Sequence, residues 1–153
     1  MPQLNFNLNG QPRSLDYGDG MHLLDVLREI CGVKSVKDGC APQGYCGCCA
    51  ILLDGRPTLS CLRKPEQTEG REVTTLEGVG AEERRVLSEA FVKDGAIQCG
   101  YCIPGIVTRS AALIRQGKKD RDEIARGLSG HLCRCTGYAR ILAADSTASR
   151  MRA

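Results

Sequence analysis

A chain of 153 residues, 42% of them apolar, is long enough to bury a real core and to form two small domains, but not three. The formal charge of +3 comes from 21 basic and 18 acidic residues mixed in stretches such as "EERR" and "GKKDRDE". No block of like charge exists to bind nucleic acid. Aromatic packing is thin, with two Phe, four Tyr and no Trp, and the outstanding feature is ten cysteines.

In chain order, "QLNFNLNGQPRSLDY" alternates Leu4, Phe6 and Leu8 with polar residues and turns at Asn9-Gly10, which predicts two antiparallel strands. "DGMHLLDVLREICG" carries Leu23, Leu24, Leu27 and Ile30 at helical spacing, with Gly32 as its stop. A loop dense in Gly and Cys follows over 33–48. "CAILLDGRPTLSC" is a hairpin turned at Asp54-Gly55, and "REVTTLEG" supplies a last strand. Beyond "GVGAE" the pattern becomes helical. Val86, Leu87, Ala90 and Phe91 mark one helix stopped by Gly95, and a second runs from Pro104 to Gln116. "DRDE" at 120–123 caps a short third helix ending near 127–130, and "YARILAA" starts a fourth. The tail "DSTASRMRA" is expected to be loosely held. These patterns divide the chain into a mixed α/β domain over 1–78 and an all-helical domain over 79–153.

The N-terminus, "MPQLNFNLNG", has no basic region followed by an apolar stretch, and no apolar run nears the roughly 18 residues of a membrane helix. The expected location is cytoplasmic, without membrane insertion. In that reducing setting clustered cysteines read as metal ligands rather than disulfides. The first group is Cys40-x5-Cys46-x2-Cys49-x11-Cys61, one residue longer in its first loop than the plant-type 2Fe–2S pattern. Spacing leaves Cys46, Cys48 and Cys49 open as ligands. We assign Cys46 and Cys49, with Cys48 as a packed neighbour. Gly39, Gly44 and Gly47 let backbone N–H groups turn toward the sulfurs. Cys31, inside a helix, reads as a small buried hydrophobe.

The second group, Cys99-x2-Cys102-x30-Cys133-x1-Cys135, places one pair just before a helix and the other at the mouth of the last one. Eight thiolates could instead hold two structural zinc ions, although three ligands in one glycine loop and a C-x1-C pair suit zinc poorly. A Rieske centre needs two histidine ligands; of His22 and His131 only the latter lies near a cysteine pair, where capping or packing is its expected role. Two bound clusters of about −2 each would turn the +3 into about −1.

Three stretches together resemble the iron–sulfur subunit of the molybdenum hydroxylases, the family of xanthine dehydrogenase, aldehyde oxidoreductase and carbon monoxide dehydrogenase. They are "LLDVLREICGVKSVKDGCAPQGYCGCCAILLDGRPTLSCL", "IQCGYCIPGIV" and "SGHLCRCTGYARIL", and the resemblance covers roughly residues 4 to 143. It implies an α+β fold, with a plant-ferredoxin-like β-grasp domain followed by a four-helix bundle, each holding a 2Fe–2S cluster. By the same likeness Cys40, Cys46, Cys49 and Cys61 hold the cluster nearer a flavin. Cys99, Cys102, Cys133 and Cys135 hold the one nearer the molybdenum cofactor, with Gln98 and Cys135 approaching its pterin. The implied partners are a large molybdopterin-binding subunit and a medium FAD-binding subunit. The implied activity is one-electron relay within an oxidoreductase complex, and no catalytic residue is expected in this chain. The sequence departs from the family pattern in the longer first loop and at Cys48, Ile103 and His131. Two readings from other classes stand beside it, a zinc-stabilised interaction module and a free-standing two-cluster carrier.

Overall fold

The computed structural model describes residues 1–152. Strand β1 (Gln3–Leu8) alternates exposed and buried residues along its length, and Leu4, Phe6 and Leu8 form its inward face. It pairs antiparallel with β2 (Gln11–Asp16) through Asn9-Gly10, both residues at positive φ (54° and 77°), the geometry of a two-residue hairpin turn matched to strand twist. Strands β3 (Ala50–Leu53) and β4 (Arg56–Leu59) form the second hairpin, turned at Asp54-Gly55 with φ of 48° and 76°. Strand β5 (Glu72–Thr74) lies between the hairpins, parallel to β1 and antiparallel to β3. The mixed sheet therefore has the order β2-β1-β5-β3-β4. Asn9 is more than a turn residue: its Oδ1 accepts from the Thr75 amide at 2.8 Å and its Nδ2 donates to Thr75 Oγ1 at 3.0 Å, tying the first turn to the end of β5.

One face of the sheet is covered by α1 (Leu23–Asp25), which continues as a π-helical turn over Val26–Ile30. Leu23, Leu24, Val26 and Leu27 pack on Leu4, Phe6, Ile51 and Val73. Each such side chain removed from water contributes about 1.5–3 kcal/mol before conformational entropy is counted. The wider turn differs from the expected regular helix. Ile30 points outward at 41% exposure, and Cys31 caps the turn half-buried at the core's edge.

Helices α2 (Ala81–Lys93), α3 (Ile103–Arg115), α4 (Arg121–Gly127) and α5 (Ala139–Met151) enclose a second core. Phe91, Leu87, Ile106, Ile124 and Ile141 are its largest members. Asp120 caps α4 as its spacing predicts, accepting from the Asp122 and Glu123 amides. Glu83 on α2 receives two bonds from Arg115 on α3 and another from Arg152 just past α5. The C-terminal segment corrects the expectation of a loose tail. Residues 145–151 continue α5, with Ala144 and Ala148 fully buried and Ser149 bonded to the Lys118 carbonyl at 3.0 Å. Small side chains carry little hydrophobic signal in sequence, yet they let α5 approach α2 closely. The final residue, Ala153, lies outside the described residues.

The two halves meet where α3 lies against β3 and β4. A Cβ on Gly105 would stand 2.5 Å from the Gly47 carbonyl oxygen and 3.1 Å from Cys48 Cα, so only glycine allows this approach. The Leu132 amide donates to the Cys46 carbonyl at 2.9 Å, and the Tyr101 hydroxyl to the Asp38 carbonyl at 2.7 Å. Among the described residues no helix is long and apolar enough to cross a membrane.

Candidate metal centres

The first cysteine set is built from one loop and one strand end. Between α1 and β3 the chain has no regular structure, and its polar groups turn inward on sulfur. Burial works against ionising Cys40, yet the amides of Gln43 (3.4 Å from Sγ), Tyr45 and Cys46 outweigh it and hold the thiol down at about 7. The Cys40 and Cys46 thiols lie beside each other. So do those of Cys49 and Cys61, the latter supplied by a 3₁₀ turn directly after β4. Burial, reinforced by Cys49, pushes Cys61 up to about 12, while the Gly44 amide donates to its sulfur and opposes the rise. The loop glycines divide the work. Gly44 donates to sulfur. Gly39 is needed for space, since a Cβ there would stand 2.9 Å from Cys46 Sγ and 3.1 Å from Cys48 Sγ. Gly47, at φ 74°, packs against the Gly130 carbonyl and the His131 ring of the helical half.

The second set joins two segments about thirty residues apart. Cys102 caps the N-terminus of α3 and Cys99 lies one turn earlier, while Cys133 and Cys135 precede α5. Cys102 meets Cys133, and Cys99 meets Cys135. Burial and the neighbouring Cys133 push Cys102 up to about 12. Cys133 moves the other way: burial opposes ionisation, but the Thr136 hydroxyl at 3.0 Å and the Thr136 and Cys135 amides hold its thiol below the usual range. Tyr138 contributes through its backbone. Its left-handed conformation (φ 71°), which costs about 1–2 kcal/mol, brings the ring back so that its hydroxyl accepts the Cys133 N–H at 2.9 Å. Spacing alone did not point to Thr136 or Tyr138, although both lie inside the motif "CRCTGY". Cys99 and Cys135 are exposed, and Gln98 Nε2 donates to the Cys135 carbonyl at 3.0 Å, so Gln98 and Cys135 meet at one surface point.

The donor chemistry can be tested against the metals it could hold. A single tetrahedral ion needs four donors converging on one point. Among the described residues no three cysteine, histidine or acidic side chains converge in that way. In the first set Cys46 lies beside both Cys40 and Cys48, and Cys49 beside Cys61; in the second, Cys102 lies beside Cys133 and Cys99 beside Cys135, so that each half gathers four candidate ligand thiols. Two thiolates for each of two irons is what a 2Fe–2S cluster requires, so the residues present fit that group. His131 pairs with none of them. It is buried, burial and the Arg109 charge push it down to about 4, and neither ring nitrogen has a hydrogen-bond partner among the described residues. Its part is packing, against Gly47.

The pattern of the 2Fe–2S iron–sulfur cluster binding domain matches residues 6–76, and that of the [2Fe–2S] binding domain matches residues 75–145. The small FeS subunit of nicotinate dehydrogenase from Eubacterium barkeri is 42% identical over 143 residues, covering 92% of this chain and 90% of that one. The chain belongs to the iron–sulfur subunits of the molybdenum hydroxylases. The iron–sulfur-binding subunit of xanthine dehydrogenase from Escherichia coli O157:H7 is also 42% identical, across 88% of this subunit and 86% of that one. In solved structures, the subunit superposes on quinoline 2-oxidoreductase from Pseudomonas putida 86 with a TM-score of 0.88 at 38% identity, covering 97% of this chain and 94% of that chain. It also superposes on the aldehyde oxidoreductase of Desulfovibrio desulfuricans (TM-score 0.91, 35% identity), matching 99% of itself to 17% of that longer chain. This iron–sulfur subunit therefore has two 2Fe–2S-binding domains and forms part of an oxidoreductase complex.

Proposed function

We propose that this subunit relays electrons one at a time between a molybdopterin site in a large partner subunit and a flavin subunit or other acceptor. In this reading Cys40, Cys46, Cys49 and Cys61 hold one 2Fe–2S cluster. Cys99, Cys102, Cys133 and Cys135 hold the other, inside a four-helix bundle formed by α2–α5, with the boundary between the halves at residues 78 and 79. The observation that carries the reading is the gathering of four thiols in each half, one set in the 40–49 loop and at Cys61 after β4, the other just before α3 and α5. A bound 2Fe–2S group supplies reversible one-electron redox chemistry, near −400 mV in the plant type. The chain's own residues set how that chemistry is used. Amides around Cys40 and the hydroxyl of Thr136 at Cys133 stabilise negative charge on sulfur, to different degrees in the two halves. The exposed edge formed by Gln98, Cys99 and Cys135 is the face we assign to the molybdopterin subunit, because that set alone offers two exposed thiols. Substrate chemistry belongs to the partner, and we assign the complex to the cytoplasm, where clustered cysteines serve as metal ligands.

Iron and acid-labile sulfide analysis of anaerobically purified complex, with EPR after dithionite reduction, tests the reading. We expect four irons and four sulfides per chain and two distinct rhombic signals. Cys102→Ser is expected to halve the iron and abolish electron flow from substrate to the physiological acceptor. Two zincs without sulfide, or turnover that survives Cys102→Ser, would overturn the assignment.

A further inference from the structure

A cleft of about 340 Å³ opens where the two halves meet, and no cysteine lines it. The sheet half contributes Pro57 and Thr58 from β4. The helical half contributes Arg109 from α3, Arg126 from α4, and Ser129 and His131 from the turn that follows. Arg109 Nε donates to the Gly127 carbonyl at 2.8 Å, which fixes the guanidinium group and leaves its other N–H groups free to point elsewhere. Neither Arg109 nor Arg126 forms an ion pair among the described residues, and no aspartate or glutamate lines the cleft. The turn itself is held in place: the Ser129 amide donates to the Arg126 carbonyl at 3.3 Å and the His131 amide to the Leu128 carbonyl at 2.9 Å. His131 is only 8% exposed. Packing against Gly47 accounts for its burial, but not for two ring nitrogens without a partner among the described residues. An imidazole carries an N–H in either tautomer, and leaving that donor buried and unpaired is costly.

We propose that this cleft is a binding site for a small oxyanion, free phosphate or the phosphate group of a small molecule, held between Arg109 and Arg126. It is independent of the cysteine assignments. Guanidinium groups present paired N–H donors that match phosphate oxygens. Two like charges lining one cavity repel each other, and an anion between them removes that cost. The Ser129 hydroxyl and the His131 ring add neutral donors of the kind that fix an oxyanion's orientation. The volume lies at the small end of the range for ligand pockets, which suits a phosphate carrying a small organic group. Because its lining comes from both halves, an anion bound there also bridges them.

The test is calorimetric titration of the full chain with inorganic phosphate, against sodium chloride at matched ionic strength. We expect the wild-type chain to bind a single phosphate. Arg126→Gln, which has no ion pair to lose, should weaken binding about tenfold, the loss of one charge-assisted contact. Arg109→Gln should weaken it at least as much. If that variant fails to fold because its bond to Gly127 is gone, Arg126→Gln decides alone. Arg121→Gln, on the same helix but outside the cleft, should leave the affinity unchanged. The proposal is overturned if phosphate gives no saturable heat beyond that of chloride, or if Arg126→Gln binds as tightly as wild type. It is equally overturned if Arg121→Gln weakens binding as much as Arg126→Gln, since net charge alone would then explain it. A parallel titration with methyl phosphate separates the two sources. Tighter binding than inorganic phosphate supports a phosphate-bearing molecule as the ligand, and weaker binding supports the free ion.

Discussion

The two cysteine sets solve the same problem in different ways. In the sheet half, three of the four thiols come from one ten-residue stretch, 40–49, and the fourth from the end of the next hairpin. The loop's own amides at Gln43, Gly44, Tyr45 and Cys46 turn onto sulfur, so much of the site is local and three of its four thiols are buried. In the helical half, two pairs of cysteines meet only because α3 and α5 are packed in place, and two of the four thiols remain exposed. A locally built site should tolerate loosening of the tertiary structure, whereas a site assembled from distant helix ends should not. The enclosed set is insulated by its own domain, while the open set presents two thiols at the surface.

The strongest way to break this contrast is Gly105→Ala. The added methyl would meet backbone on the far side, the Gly47 carbonyl at 2.5 Å and Cys48 Cα at 3.1 Å, and neither can rotate away. We expect a destabilisation of about 3 kcal/mol, the upper range for overpacking. Thermal unfolding should separate into two steps as the halves part. If the second set depends on packing, its EPR signal should be lost before that of the first set on heating. Simultaneous loss would mean that the first set is no more self-sufficient than the second.

A smaller effect probes the helical half alone. Asp145 on α5 is buried beside Ser110, which donates to Oδ2 at 2.9 Å, while Oδ1 has no partner among the described residues. Burial pushes its carboxyl up to about 7 despite the Ser110 bond. An acid whose folded-state pKa exceeds its unfolded value of about 3.9 binds its proton more tightly when folded. Stability is therefore lost as pH rises from about 4 to about 7 and stays lost above that. Asp145→Asn removes this cost. We expect it to stabilise the helical half by about 2 kcal/mol at pH 8 and by almost nothing at pH 4. A gain of equal size at both pH values would show that folding does not raise the affinity of this carboxyl for its proton.

These residues also mark where the sequence stopped being informative. The hairpins were legible because Asn9-Gly10 and Asp54-Gly55 need a left-handed backbone that few residue pairs supply, and strand alternation fixed which face of β1 is buried. The two cluster-binding domains were legible because cysteines gather at metal-ligand spacings in each half of the chain. The last helix was not, since Ala144, Ala148 and Ser149 form a weak apolar stripe whose value depends on how closely α2 approaches. Gly47 and Gly105 look like loop and helix-start glycines until the partner backbone is in view. The π-helical turn over Val26–Ile30 likewise leaves no mark in the local periodicity.

The mildest perturbation tests whether the two sets are joined by their loops as well as by their domains. The Tyr101 hydroxyl, from within the Cys99–Cys102 turn, donates to the Asp38 carbonyl two residues before Cys40. Lys37 Nζ lies 5.7 Å from the centre of the same ring. Tyr101→Phe keeps the ring and its attraction for the lysine, so it isolates the hydrogen bond. The residue is half-exposed and water can replace the hydroxyl, so a loss of about 1 kcal/mol is expected, with both EPR signals intact. If the second signal broadened or vanished in Tyr101→Phe while Asp145→Asn left it untouched, its geometry would be set by the first loop rather than by the helices. The two sites would then be one structural unit.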